Sequence, residues 1–522
     1  MTLPFPPELL LAIFNVAVHT SYDSADQLDP PSLDMLMAME EDPTPSTPAP
    51  SGPTGIHKDV EYPESQLQPG IIAHVTNPFT PLHLSHVCKD WRDAAFSAPE
   101  LWSSIYVADG RPNTYRLLRL WLQNSGSQPL DIVFRETLNG SSGDTIVELI
   151  QMAAEHSVRW RTFKVRLRRQ KLSIKEVAKV LHGIVTPLLQ TLAFSFNTIE
   201  LGDTQFDDLW MSLITNAPKL QELQMWSATY SKNFLAAIPF DRLTCIALIM
   251  VRFQGEDLFW KALRGCKVLR TLSISFGLGP ATESRWYTTQ PSSPAVVSIP
   301  SLRHFNLVGG SDLCLLLLGL HLPSLNSLTM HTNHVERYVR RPITDVYIAL
   351  EDFLTRSRCQ LLSFKIRDER EGAKFERRVS PILRHSALRD LVELTLGSPV
   401  GKKTLEYLVG SPTNDGLLQG LKRIDLQALA LGEEIPVASV TEMAASRSCD
   451  SRLAVNLVFL TVGFLSRTQL ILEMRAWNDY IAEEGNLTRN VEKVFYYASG
   501  AERTRRLKGE FLCRDFSMIQ GW

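Results

Sequence analysis

A chain of 522 residues is too long for one hydrophobic core, so several domains or one long repeat array are required. Hydrophobic residues at 44% and charged residues at 21% exclude a chain that is disordered throughout. A formal net charge of −2 excludes bulk attraction to nucleic acid or acidic lipid and leaves only local patches for such contacts.

The first residues, MTLPFPPELLLAIF, lack a basic n-region and carry Glu8 ahead of the apolar run, so no secretory signal is expected. Pro6, Pro7 and Glu8 predict a helix start, because proline is tolerated in a first turn and an acid suits the positive end of the helix dipole. Leu10, Ile13, Phe14 and Ala17 then recur at helical spacing. Residues from about 20 to 78 are dense in proline and acids, and Lys58 is the only lysine or arginine among them. Such a stretch buries too little apolar surface to offset chain entropy, so a disordered insert is expected. Leu33–Met39 is an apolar island within it, expected as a fragment of transient helix. Beyond the insert, Leu84, Val87, Cys88, Trp91 and Ala95 predict one helix with a single apolar stripe. Lys89, Asp90, Arg92 and Asp93 take its other side, and Pro99 ends it ahead of Leu101 and Trp102.

From about residue 160 an apolar-x-x-apolar-x-apolar unit recurs, the strand signature of leucine-rich repeats. It reads Trp160/Phe163/Val165, Leu189/Leu192/Phe194, Leu220/Leu223/Met225, Leu243/Ile246/Leu248 and Leu269/Leu272/Ile274. It continues through Leu302/Phe305/Leu307, Leu325/Leu328/Met330, Leu361/Phe364/Ile366, Leu391/Leu394/Leu396, Leu421/Ile424/Leu426 and Leu457/Leu460/Val462. The starts lie 23 to 36 residues apart, so the array is irregular. Asn197 and Asn333 stand where that repeat family has a buried asparagine that satisfies turn backbone groups. Helix-like pieces such as 207–214 and 348–354 separate the strands, so each unit reads as strand plus helix.

The two N-terminal pieces resemble the F-box. Phe5-Pro6-Pro7-Glu8-Leu9-Leu10-Leu11-Ala12-Ile13-Phe14 is similar to its opening, with Phe5 in place of leucine. Leu84-Ser-His-Val87-Cys88-Lys-Asp-Trp91-Arg92 is similar to its middle, and Ser97-Ala-Pro99-Glu-Leu101-Trp102 to its end as seen in many fungal F-box proteins. The departure is the long insert where the family has a short turn; loop closure costs grow slowly enough for the helices to meet. The resemblance implies docking on the Skp adaptor, and through it on a cullin, with no chemistry performed by the chain itself. Pro6, Leu9, Leu10, Ile13, Phe14, Leu84, Val87, Cys88, Trp91 and Trp102 are the residues it assigns to that contact, some of them expected to pack the small domain instead.

The expected fold class is therefore α/β: a small helical F-box-like N-terminal domain over 1–106, interrupted by the insert, then an irregular leucine-rich-repeat solenoid, a horseshoe, over 107–522 with a C-terminal cap. Tyr496, Tyr497 and the basic run Arg503, Arg505, Arg506 and Lys508 fall in that cap. In such strands the residues between the inward apolar positions face a concave surface. Lys164, Arg166, Trp226, His331, Lys365 and Arg367 are the candidate substrate contacts there. A dense cluster, Arg159, Arg161, Lys164, Arg166, Arg168, Arg169 and Lys171, suits phosphate or carboxylate, so an acidic or phosphorylated protein substrate is expected.

Gly397-Ser-Pro-Val-Gly401-Lys402-Lys403-Thr404 looks like a phosphate loop but is one residue short between its glycines. HExxH, GxSxG and spaced His/Cys metal clusters are missing from the sequence, so no catalytic residue, cofactor or metal is assigned. Seven cysteines without a CxxC pair point to a reducing compartment, cytoplasmic or nuclear. The longest apolar run, 313–320, is far short of the ~20 residues of a spanning helix, so no membrane partner is expected. The competing expectation is a repeat scaffold without a ligase, its helical piece serving as an N-terminal cap.

Overall fold

The computed structural model describes residues 7–19, 71–72, 80–107, 112–135, 143–167, 171–196, 211–226, 229–230, 232–249, 252–253, 256–276, 296–310, 312–332, 345–368, 372–398, 402–408, 420–430, 454–462, 491–499 and 509–511. The chain divides into two compact units, Met1–Cys266 and Lys267–Trp522. Both are α/β, with parallel strands alternating with helices.

The first unit opens with helix α1 (Pro7–His19), a two-residue strand β1 (Ile71–Ile72), helices α2 (Pro81–Ser85) and α3 (Lys89–Ser97), and a 3₁₀ turn at Pro99–Trp102. Its parallel ladder is β2 (Ser104–Val107), β3 (Leu130–Arg135), β4 (Trp160–Leu167), β5 (Thr191–Phe196), β6 (Glu222–Trp226) and β7 (Cys245–Ile249), each bonded to the next. Helices α4 (Pro112–Asn124), α5 (Gly143–Ala154), α6 (Lys171–Leu181), α7 (Lys232–Ala237) and α8 (Glu256–Arg264) accompany it.

The register explains the core. Ile105, Ile132, Phe163, Leu192, Leu223 and Ile246 form one row across the ladder, and Val107, Phe134, Val165, Phe194, Met225 and Leu248 the next. None is more than 3% exposed. Phe163 meets Phe134 and Phe194 edge to face at 6.2 Å, the geometry that the ring quadrupole favours. Alternation then turns the intervening residues to the opposite face of the sheet.

The second unit repeats the arrangement. Strands β8 (Thr271–Ser275), β9 (His304–Gly309), β10 (Ser327–Thr332), β11 (Ser363–Asp368), β12 (Glu393–Leu396), β13 (Arg423–Ala430), β14 (Ala454–Val462) and β15 (Val491–Ser499) are parallel, and β16 (Gly509–Phe511) closes the end antiparallel. Helices α9 (Asp312–Gly319), α10 (Val346–Ser357), α11 (Gly372–Leu383) and α12 (Lys402–Leu408) lie between strands. Leu272, Phe305, Leu328, Phe364, Leu394 and Ile424 align as one fully buried row. Ahead of four of these strands a backbone bond reaches the segment leading into the preceding strand: Asn326 N–H to Arg303 O, Leu362 N–H to Asn326 O, Val392 N–H to Leu362 O and Lys422 N–H to Val392 O, at 2.7 to 2.9 Å. The first unit does the same from Gln190 to Arg161 and from Gln221 to Gln190, both at 2.8 Å.

Four expectations from the sequence change. The sheet starts at Ser104, earlier than the first triplet at Trp160, because Trp102/Ile105/Val107 obeys the same apolar spacing. Ile71 and Ile72, inside the span expected to be disordered, pair antiparallel with Val107 and Tyr106 and cover the first edge of the sheet. The rest of the insert, Asn197, Asn333 and the run from Arg503 to Lys508 lie outside the described residues. The stripe from Leu84 to Ala95 is two helices rather than one. Thr80 caps α2 with its hydroxyl accepting from His83 N–H, His86 ends it, and Cys88 has the extended backbone of a helix N-cap. Last, Leu457 lies opposite Leu426, so the final triplet was placed out of phase.

Candidate functional site

The helical module is held together by rings. Phe14 is fully buried and meets Trp91 with centroids 4.9 Å apart at 61°. Trp102, also fully buried, stacks on Phe96, meets Trp121 edge to face, each at 5.0 Å, and donates its indole N–H to Ala95 O at 2.8 Å. Arg92 Nε donates to Ser85 O at 3.0 Å and so joins α3 to the end of α2. Leu10, Phe14 and Val18 are the inward stripe of α1.

These contacts sort the residues assigned to an adaptor. Leu10, Phe14, Leu84 and Trp102 are buried within the module and pack the small domain, the role expected for some of the ten. Trp91 is half-buried, Cys88 is exposed, and Pro6 lies outside the described residues. Leu9 at 46%, Ile13 at 44% and Val87 at 59% are exposed. Val16, which the sequence reading passed over, is 65% exposed. Leu9, Ile13 and Val16 follow one another at i, i+4 and i+7, which sets them on one face of α1 opposite its core stripe. A helix that uses one apolar stripe to pack and shows a second to solvent marks an interaction surface. Val16 was missed because apolar spacing does not separate the inward stripe from the outward one.

A second surface is the sheet face opposite the core. In the first unit Lys164 lies in register with Val133 and Ala193, and Arg166 with Arg135 and Ser195. Arg135, not singled out from sequence, joins the basic cluster there and donates to Tyr106 Oη at 3.5 Å. Two members of the predicted cluster have partners within the chain. Arg161 Nε donates to Asp131 Oδ1 at 3.0 Å, and Arg159 Nη2 donates to Ser125 Oγ at 2.9 Å. Residues 168–170 lie outside the described residues; Trp226 on β6 continues the register row of Arg135, Arg166 and Ser195, two strands beyond Arg166. In the second unit His331, Lys365 and Arg367 come together: His331 and Arg367 are register partners on β10 and β11, and Lys365 sits two residues before Arg367.

Several further polar side chains of the second unit are bonded within the chain. Tyr347 Oη donates to Asp368 Oδ2 at 2.7 Å, and both residues are buried. Burial, then the Asp368 carboxylate, pushes the Tyr347 phenol well above its ordinary range. Ser398 Oγ, in the glycine-rich stretch, donates to Asp368 O at 2.6 Å, and Thr404 gives both its N–H (2.8 Å) and hydroxyl (3.0 Å) to Glu376 Oε1. Neither hydroxyl is left for a phosphate. Among the described residues no cluster of His, Cys, Asp and Glu could hold a metal, and no helix is long and apolar enough to cross a membrane.

No family model and no curated protein matches the chain. A solved crystal structure of a Bacteroides fragilis protein aligns with 45% of this chain and 67% of that one, at 15% identity and a TM-score of 0.31, a likeness too low to carry an argument.

Proposed function

We propose that the chain is the substrate-receptor subunit of a Skp–cullin–F-box type ubiquitin ligase. Its N-terminal helices dock on the Skp adaptor, its horseshoe of leucine-rich repeats holds a protein substrate, and the chain itself performs no catalysis. It works in the cytoplasm, the nucleus or both. One observation supports this most: α1, joined to α3 through Phe14 and Trp91, leaves Leu9, Ile13 and Val16 bare on its outer face, with Val87 bare at the α2–α3 turn. Exposed apolar anchors on a short helical knob are what a groove on a partner recognises.

The test is capture of purified Skp adaptor by the full-length chain. Wild type is expected to retain the adaptor, and Ile13→Asp with Val16→Asp to release it while remaining folded, because both side chains are solvated. Absence of capture by wild type would overturn the reading.

One observation favours a scaffold without a ligase. Trp102 packs on Trp121 of α4, and β2 continues straight into the parallel ladder, so the helical module also caps the array. On that reading capture fails and a Trp102→Ala chain loses the order of β2 and β3.

A further inference from the structure

The geometry points to an anion-binding site on the sheet face of the second unit, formed by Thr329, His331, Lys365, Arg367, Thr395 and Gly397. We infer that it takes a phosphate or carboxylate group on an extended segment of a partner protein. This rests on the receptor reading only in treating that partner as the substrate.

The six positions form a patch two residues deep on three adjacent strands. Thr329, Lys365 and Thr395 are one register row, and His331 and Arg367 occupy the next. Gly397 extends that second row, since its N–H donates to Ile366 O at 2.8 Å and it lies against the Arg367 side chain. Strand geometry places neighbours in a row about 4.8 Å apart and Lys365 and Arg367 about 6.6 Å apart, so one tetrahedral oxyanion spans both cations. Lys365 is exposed, Arg367 is half-buried, and among the described residues neither pairs with a carboxylate. On the same face Glu393, in register with Ser363, accepts from Ser363 Oγ at 3.3 Å. Asp425, on β13, is in register with Thr395 and so lies two strands from Lys365.

Gly397 explains why Arg367 lies flat. A Cβ at this position would stand 2.9 Å from Arg367 Cβ and 3.0 Å from its Cγ, closer than side-chain carbons approach. Glycine therefore lets the arginine stem lie across the neighbouring strand rather than rise away from it. Among the described residues the two cations pair with no carboxylate, and with the Thr329 and Thr395 hydroxyls beside them they present charged donors to this face. Charge-assisted bonds from arginine favour phosphate and carboxylate oxygens. An extended segment fits because the neighbours are small, leaving the backbone of a guest room along the face.

The test uses the full-length chain and three degenerate peptide libraries that share a fixed central residue: phosphoserine, aspartate or serine. Retention of the phosphoserine or aspartate library about tenfold over serine is expected, and which of the two leads identifies the source of the charge. Lys365→Gln with Arg367→Gln should remove the preference. Gly397→Ala, which alters no charge, should reduce it by displacing Arg367. Equal retention of the three libraries, or a preference that survives the double substitution, overturns the site. Lys365→Gln alone keeps the test valid if the double variant fails to fold, because that side chain is exposed. Skp capture is read in parallel: its loss in wild type with anion preference intact removes the ligase reading and leaves this site standing.

Discussion

The Phe14 ring meets Trp91 edge to face with centroids 4.9 Å apart, joining two sequence blocks that the long insert separates. Phe14 is fully buried while Ile13, its neighbour in sequence, is 44% exposed. Neighbouring substitutions should therefore have opposite consequences. Phe14→Ala removes a buried ring and should cost about 3–5 kcal/mol. Ile13→Asp changes a solvated position and should stay within about 0.5 kcal/mol. Hydrogen exchange over α1 and α3 is the measurement, because local opening is read without assuming that the whole chain unfolds in one step. Comparable loss of protection in both variants would contradict the packing assigned to α1.

The thiols separate in the same way. Burial pushes Cys245 and Cys266 up to about 12 and Cys359 up to about 11, whereas Cys88 is exposed at the N-cap of α3. Since the thiolate is the reactive form, a maleimide at neutral pH should label Cys88 well before the other three, with peptide mass spectrometry as the readout. Prior incubation with Skp adaptor should slow labelling of Cys88 if Val87 and Cys88 lie under the partner. Unchanged labelling in a verified complex would exclude this turn from the contact.

The buried Tyr347–Asp368 pair gives an alkaline signature. The Tyr347 phenol titrates higher in the folded chain than its ordinary 10.0, first through burial and then through Asp368. A raised folded value means that the stabilisation is fully present below pH 10 and is lost as pH rises above that unfolded value. Tyr347→Phe should flatten this part of the stability profile. It should also cost about 1–3 kcal/mol near neutral pH, because the buried Asp368 carboxylate loses the Tyr347 hydrogen bond. Thermal midpoints of the two proteins across the alkaline range decide the point; parallel slopes would show that Tyr347 does not carry the effect.

The sequence revealed the strands best where the leucine spacing is strict. Leu328, Phe364 and Leu394, read as second members of their triplets, are register partners in the core. Spacing failed where it continued through a turn: Val87 and Cys88 keep a helical interval from Leu84 but sit between two helices. Charge was misread for a different reason. Arg159 and Arg161 look like ligand-binding residues beside Lys164, yet Arg159 donates to Ser125, just past the end of α4, and Arg161 to Asp131 on β3. Parallel strands joined by helices put the neighbours that matter about thirty residues away, beyond the reach of local pattern. Arg367 and Gly397 are linked in the same way, and the consequence of that glycine shows only once the strands are aligned.

The pairing of β1 with β2 separates the role of Ile71 and Ile72 from that of the rest of the insert. Val107 and Tyr106 would otherwise present an open edge of the parallel sheet, the kind of surface that recruits strands from other chains. Ile71→Pro with Ile72→Pro removes two amide donors and should uncover that edge, so sedimentation should show concentration-dependent self-association that wild type lacks. Shortening the insert between residues 24 and 64, with Ile71 and Ile72 kept, should be mild instead. Closure entropy changes by only about 0.6 kcal/mol for each halving of a loop, and in the stabilising direction. Association of the shortened chain, or a proline variant that stays monomeric, would show that β1 does not guard the edge.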